Sequence, residues 1–138
     1  MLAGLAAGFG LGLLRLDYYP IMEILSAFVR GRVRLSDGAT SKDHDDVPAC
    51  EHKLPNDVQA ALAVLARRSP RSQEYRLDLH ATDLRNAKLP HARFARAILS
   101  AADLRCADLR EADLCGTNLK EAKLRDAQLD GAFYDAHT

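Results

Sequence analysis

The chain has 138 residues, 48% of them apolar and 28% charged, the size and balance of one globular domain, which excludes a disordered or collagen-like polymer. Nineteen Lys and Arg against nineteen Asp and Glu give zero formal net charge, so no global field draws in a polyanion and nucleic acid is not an expected partner. Three cysteines without paired spacing and no recognisable signal peptide fit a reducing compartment better than a disulfide framework, and the expected location is the cytoplasm.

Residues 2 to 14, LAGLAAGFGLGLL, are uncharged, but Arg15 and Asp17 end the run short of the 18 to 20 residues that cross a bilayer. Gly4, Gly8 and Gly12 recur at the four-residue spacing that lets helices pack closely, in a membrane or outside one. Membrane attachment through this segment, facing the cytoplasm, is the alternative location. Pro20 suits a first helical turn, and Ile21, Ile24, Leu25, Phe28 and Val29 form one apolar face with Gly31 placed to stop the helix. Arg30, Arg32 and Arg34 follow, either as complements to a helix C-terminus or as contacts to anionic lipid. Residues 36 to 55 are polar, acidic and without periodicity, which reads as a flexible linker. A second helix over 57 to 68 has Asn56 and Gln59 as a capping box and Val58, Ala61, Leu62 and Leu65 as its apolar stripe, and Ser69-Pro70 ends it. The expected division is thus a helical segment over 1–35, a linker over 36–55, a capping helix within 56–70 and a repeat region over 71–138.

From Leu77 the chain falls into fives: LDLHA, TDLRN, AKLPH, ARFAR, AILSA, ADLRC, ADLRE, ADLCG, TNLKE, AKLRD, AQLDG, eleven pentads over residues 77–131. The middle residue is Leu in ten (Leu79, Leu84, Leu89, Leu99, Leu104, Leu109, Leu114, Leu119, Leu124, Leu129) and Phe94 in the other. The residue two before it is Ala in eight, with Leu77, Thr82 and Thr117 as exceptions. Five residues at about 100° each leave successive leucines about 140° apart on a helix, so no stripe forms. On a continuous strand an odd period throws them to alternate faces. A corner after every pentad removes the conflict, because each short extended piece then turns its Ala and Leu to the same interior. The expected architecture is a mainly β solenoid with eleven large side chains along its axis.

The motif A-(D/N)-L-x-x, nearly unaltered in ADLRC, ADLRE and ADLCG, resembles the pentapeptide-repeat family over about 40% of the chain. The resemblance implies a right-handed quadrilateral β-helix with four pentads per coil, about 2.75 coils in all, preceded by short α-helices. YYPIMEILSAFVR and LPNDVQAALAVLARR also resemble the helical region that precedes the repeats in many bacterial members, where transmembrane helices often come first. The chain is expected to begin inside that region, as a shortened or mis-started reading frame would.

With four pentads per coil, residues twenty apart stack about 4.8 Å apart. The pairs Lys88–Asp108, Arg93–Asp113, His91–Glu111 and Arg110–Asp130 are then expected across rungs. Arg85, Arg105 and Arg125 form one column of like charge, the candidate partner-binding face for an anion or an acidic protein. Its alternative is a solvated surface column relieved by Asp83, Asp103 and Asp126. His44, Cys50 and His52 lack metal-site spacing, Cys106 and Cys115 fall on opposite sides of the coil by the family geometry and are read as surface residues that do not pair, and His80 and His91 point outward in separate columns. No catalytic, metal or cofactor residue is assigned, and the protein is not expected to be an enzyme.

Two functions follow. The first is a scaffold that displays side chains to another protein; Phe133 and Tyr134 must cover the last coil, or a second copy must, which gives a homodimer. The second comes from the resemblance, some members of the family being DNA mimics that bind topoisomerases. A mimic rising about 4.8 Å per coil needs about three net negative charges per coil. Residues 77–138 hold ten acidic against nine basic residues, so charge argues against it.

Overall fold

The computed structural model describes residues 19–35, 49–68 and 75–138. Helical backbone runs over 19–32 (α1), a short 3-10 turn spans Ala49–Glu51, and a second helix spans Asn56–Ala66 (α2). From residue 78 onward the chain winds in pentads. Residues 2–14, with their glycine spacing, lie outside the described residues, as does His44.

The winding is fixed by one register. Eight parallel bridges each join a residue to the one twenty further on, in four columns: 78–98–118, 83–103–123, 88–108–128 and 93–113–133. Leu79 N–H donates to the Ile98 carbonyl at 2.8 Å while Ile98 N–H donates to the Leu77 carbonyl at 2.8 Å, and the same double link recurs around the coil. The extended pieces are single bridges, because the chain turns again two residues after each central Leu.

Each corner has one conformation. The fifth residue of every pentad, from Ala81 to Gly131, has a positive φ between 50° and 68°. The N–H opening the next pentad commonly bonds back over the corner, as Ala87 N–H does to the Leu84 carbonyl at 3.1 Å. Positive φ at the third position is the mark of a type II turn, which glycine meets without strain. Only Gly116 and Gly131 are glycine; nine other corners hold residues such as Ala81, Arg96 and Glu111 in this region. The rung hydrogen bonds on both sides of the corner over-determine it.

The interior follows from the alternation. Central residues Leu79 to Leu109, with Phe94, are at most 1% exposed, and Ala87, Ala92, Ala97, Ala102, Ala107 and Ala112 lie beside them. Thr82 and Thr117, which replace Ala, are equally buried, and their hydroxyls donate to the Leu79 and Phe94 carbonyls at 2.7 Å, so no buried polar atom is orphaned there.

The helices close the first coil, one device per column. Arg30 Nη1 donates to the Asp78 carbonyl at 2.8 Å. Past α1, Arg34 makes an antiparallel bridge to Thr82, and Asp83 N–H donates to the Val33 carbonyl at 2.7 Å. The Gln59 side chain on α2 takes both main-chain groups of Lys88, at 2.8 and 3.0 Å. Arg93 N–H donates to the Ala66 carbonyl at 2.9 Å, and the buried Arg68 returns hydrogen bonds to the Arg93 and Ala95 carbonyls.

Several sequence expectations change. Asn56 does not cap α2: Pro55 holds the cap position, and Gln59 is spent on Lys88. Gly31 does not stop α1, since it keeps helical backbone and Val33 N–H continues the ladder to the Val29 carbonyl at 3.1 Å. The inward edge of α1 is Met22, Ser26 and Val29, leaving Ile21, Ile24 and Phe28 at 50%, 66% and 39% exposure. The helix is turned this way by the Ser26–Tyr75 hydroxyl contact at 3.2 Å and the Arg30–Asp78 ion pair at 3.2 Å. The flexible linker expected over 36–55 does not extend to 49–55, where Leu54 is buried and Cys50 is disulfide-bonded. Phe133 and Tyr134 do not cover the last coil; they are 62% and 76% exposed.

Candidate functional site

The chemistry on the coil surface begins with the residue before each central Leu. Asp or Asn stands there in six pentads. In all six its Oδ1 accepts the N–H two residues on: His80, Arg85, Arg105, Arg110, Cys115 and Lys120, at 3.0 to 3.3 Å. This is an Asx turn. It supplies the acceptor that the corner N–H lacks and aims the carboxylate along the chain at the side chain two residues away.

That aim decides the ion pairing. Arg85 grips Asp83 with Nε and Nη2 at 2.8 and 2.7 Å. Arg105 does the same to Asp103 at 2.9 and 2.7 Å, and Arg110 to Asp108 at 2.8 and 2.8 Å. The arginines therefore pair within their own pentad, and Arg110 takes Asp108 rather than Asp130. Arg93 Nη1 donates to the Arg68 carbonyl at 3.3 Å. Of the four expected cross-rung pairs, His91–Glu111 forms, at 3.2 Å.

The forks at Asp83 and Asp108 hold their carboxyls low. Burial would raise the Asp83 carboxyl, but the Arg85 hydrogen bonds and the charge of His52, 3.8 Å away, outweigh it and keep it below the ordinary 3.8. Asp78 is likewise pushed up by burial and brought lower overall by hydrogen bonds from His80 and the charge of Arg30. Asp108 is lowered chiefly by Arg110. The free thiol, Cys115, is pushed up by the Asp113 side chain, which disfavours its thiolate.

The arginine column is the face where sequence and structure differ most. Arg85 is 4% exposed, Arg105 17% and Arg125 86%. A column of three solvent-facing cations is therefore not present. The first two are neutralised by Asp83 and Asp103, and the segment at 49–55 is anchored to the corner residues that follow them, Asn86 and Cys106. Asn86 Nδ2 donates to the carbonyls of Cys50 and His52, at 3.3 and 3.0 Å, and Cys50 is disulfide-bonded to Cys106 across a Cα–Cα distance of 5.1 Å. Cys106 is thus no unpaired surface residue. Its partner was hidden in a segment whose sequence gives no sign of docking. Arg125 has Lys123 where its neighbours have Asp, so it reaches only Asp126, at 3.7 Å.

The other surface of note is the far end of the coil. Leu119 and Leu124 are half-buried and Leu129 is 40% exposed, whereas Leu99, Leu104 and Leu109, one coil earlier, are at 0%. The N–H groups of Leu99, Leu104 and Leu109 donate across the rung; among the described residues those of Leu119, Leu124 and Leu129 have no main-chain acceptor. Among the described residues no helix is long and apolar enough to cross a membrane, and no group of three or more His, Cys, Asp or Glu side chains is placed to hold a metal ion.

A twenty-residue register with four pentads per coil defines a β-helical solenoid. The pentapeptide-repeat family model matches residues 78–114 and 98–133, in eight copies, so residues 78–133 carry pentapeptide repeats. It is similar to the pentapeptide repeat protein Rfr23 from the cyanobacterium Cyanothece 51142, with 38% identity over 44% of this chain and 42% of that one and a TM-score of 0.43. It is also similar to alr5209, a pentapeptide repeat protein from Nostoc Pcc 7120, with 28% identity over 46% of this chain and 73% of that one and a TM-score of 0.26. The chain spans about two fifths of the length of the first of these. No curated protein matches it.

Proposed function

We propose that the chain is a non-enzymatic scaffold, a right-handed quadrilateral β-helix that engages another protein through its last coil. The observation that carries this is the contrast between the two ends of the stack. Each column of the first coil has a dedicated cap, whereas the last coil leaves Leu129, Phe133 and Tyr134 exposed beside unpaired N–H groups. An open sheet edge next to apolar side chains is a template for association. A second copy is the simplest occupant, since an isologous contact satisfies both edges at once. The near balance of charge over 77–138 and the Asp–Arg forks give no acidic face, which argues against a DNA mimic.

Sedimentation velocity on the full chain tests the reading. The expected species is a dimer of the 15.2 kDa chain that Tyr134→Glu with Phe133→Glu converts to monomer. A monomer at every concentration overturns it.

A second reading, attachment of the scaffold to a membrane through its N-terminal part, is favoured by the exposed stripe of Ile21, Ile24 and Phe28 on α1. The arginines do not add to it, because Arg30 and Arg32 are engaged by Asp78 and Asp57. Flotation with lipid vesicles decides it: binding lost in Ile24→Glu supports attachment through α1, and a chain that stays in the dense fraction removes it.

A further inference from the structure

We propose that residues 49–55 form a redox-operated strap, closed by the Cys50–Cys106 disulfide over the Arg85–Arg105 face and opened by a thiol reductant. The strap crosses a corner where two rungs stack. On the first rung it is held by hydrogen bonds from Asn86 to the Cys50 and His52 carbonyls, and on the second by the disulfide to Cys106. Asn86 N–H and the Arg105 carbonyl, 3.0 Å apart, tie those rungs together, so both anchors rest on one rigid support. Exposure along the column follows the strap: 4% at Arg85, 17% at Arg105, and 86% at Arg125, one rung beyond it.

The chemistry needs only access to sulfur. Cys50 is exposed and Cys106 half-buried, so a thiolate can reach the bond. Attack on one sulfur forms a mixed disulfide and expels the other as thiolate. The second thiol of a dithiol reductant then displaces the mixed disulfide. The protein gains two thiols, and the reductant leaves as a disulfide. The corners and rungs of the coil do not depend on this bond, since their hydrogen bonds run between pentads. What opens is the Cys50 end of the cover: the Asn86 hydrogen bonds, the His52–Asp83 contact at 3.8 Å and the buried Leu54 still hold the rest, and the guanidinium groups of Arg85 and Arg105 become reachable from solvent in line with Arg125.

The test labels the full chain, purified without reductant, in its folded state. Iodoacetamide is expected to modify one cysteine, Cys115, before treatment with dithiothreitol and all three after it. Arginine footprinting with p-hydroxyphenylglyoxal is expected to show at least fivefold faster modification of Arg85 in the reduced chain, an unchanged rate at Arg125, and return to the slow rate on reoxidation. Cys50→Ser should behave as the reduced wild type; should that variant fail to fold, the reduced wild type alone decides. Three cysteines labelled without reductant overturn the proposal. So does an equal rate at Arg85 in both states. Loss of the coil's cooperative thermal transition on reduction also overturns it, since the bond would then hold the fold rather than a cover.

Discussion

The two ends of the repeat block share one pentad pattern and differ in what meets their open rungs. At the start, four columns end on four unlike devices: an arginine, a main-chain bridge, a glutamine and a helix carbonyl backed by a buried arginine. None of these belongs to the repeat. At the other end the repeat continues to residue 133, one column is met by the tail, where Asp135 Oδ1 accepts the Gly116 N–H and Thr138 Oγ1 donates to the Leu114 carbonyl, both at 3.0 Å, and the last leucines lose cover in step, from half-buried Leu119 and Leu124 to Leu129 at 40% exposure. A solenoid therefore does not hide its core by repetition alone. Each coil is roofed by the next, and the terminal coils need sequence of another kind.

The sharpest test of that difference compares equivalent leucines. Leu104 is 0% exposed between two rungs, and truncation to Ala is expected to cost about 2–5 kcal/mol, as for other buried leucines. Leu129→Ala, at the open end, is expected to cost no more than ~0.5 kcal/mol. Urea unfolding of both variants checks this, and equal losses would mean that the last coil is covered in solution. Breaking the Cys50–Cys106 bond, which spans 56 residues of sequence, is expected to lower stability by about 2–4 kcal/mol by freeing the unfolded chain. Thermal melts with and without reductant measure it. Gln59→Ala removes the two caps on Lys88 and is expected to cost about 1–2 kcal/mol, since each exposed hydrogen bond is worth about 1 kcal/mol.

Acid should act on the covered face through Asp83. The Asp83 carboxyl is lowered in the folded chain, so its contribution is fully present above its unfolded value near 3.8 and is lost as pH falls through the lower folded value. A pH titration of stability is therefore expected to be level above about pH 5 and to fall below pH 4. Asp83→Asn, which keeps the Asx acceptor but not the charge, should flatten part of that fall. An unchanged acid limb would mean that Asp83 is equally paired in the unfolded chain.

What could be read from the sequence follows the same line as the comparison. The interior was legible because burial acts on every pentad alike, so Ala and Leu recur where the axis needs them and Phe94 fits without disturbance. The corners were legible in number but not in kind, since positive φ at Ala81, Arg96 or Glu111 is imposed by rungs on either side and not by the residue itself. The caps were illegible for the opposite reason. Gln59 caps Lys88 once, Arg68 reaches the Arg93 and Ala95 carbonyls once, and Cys50 meets Cys106 once, and a feature used once leaves no period to detect. Asp83, Asp103 and Asp126 were legible as the groups that relieve the arginine column, whereas Arg110 was expected on Asp130 because stacking at twenty residues was taken as the nearest neighbour relation. The Asx turn turns each carboxylate along the chain and makes the residue two places on the nearer partner.

That turn gives the finest test. Lys123 occupies the Asx position in the last coil, and Arg125, two residues on, is left 86% exposed where Arg85 and Arg105 are gripped. Lys123→Asp restores the D-L-R motif. The new carboxylate would accept the Arg125 N–H and meet its guanidinium, a gain of about 0.5–1 kcal/mol at this exposed site. Against it stands Asp103, which bridges position 123 one rung below. Stacked carboxylates repel, but Arg105 already neutralises Asp103, so the fork should win. A rise of a few degrees in melting temperature checks it, whereas a fall would show that like-charge stacking between rungs outweighs a fork within one. In that case Lys123 would be the residue that lets the open end carry Asp103 without a second carboxylate above it.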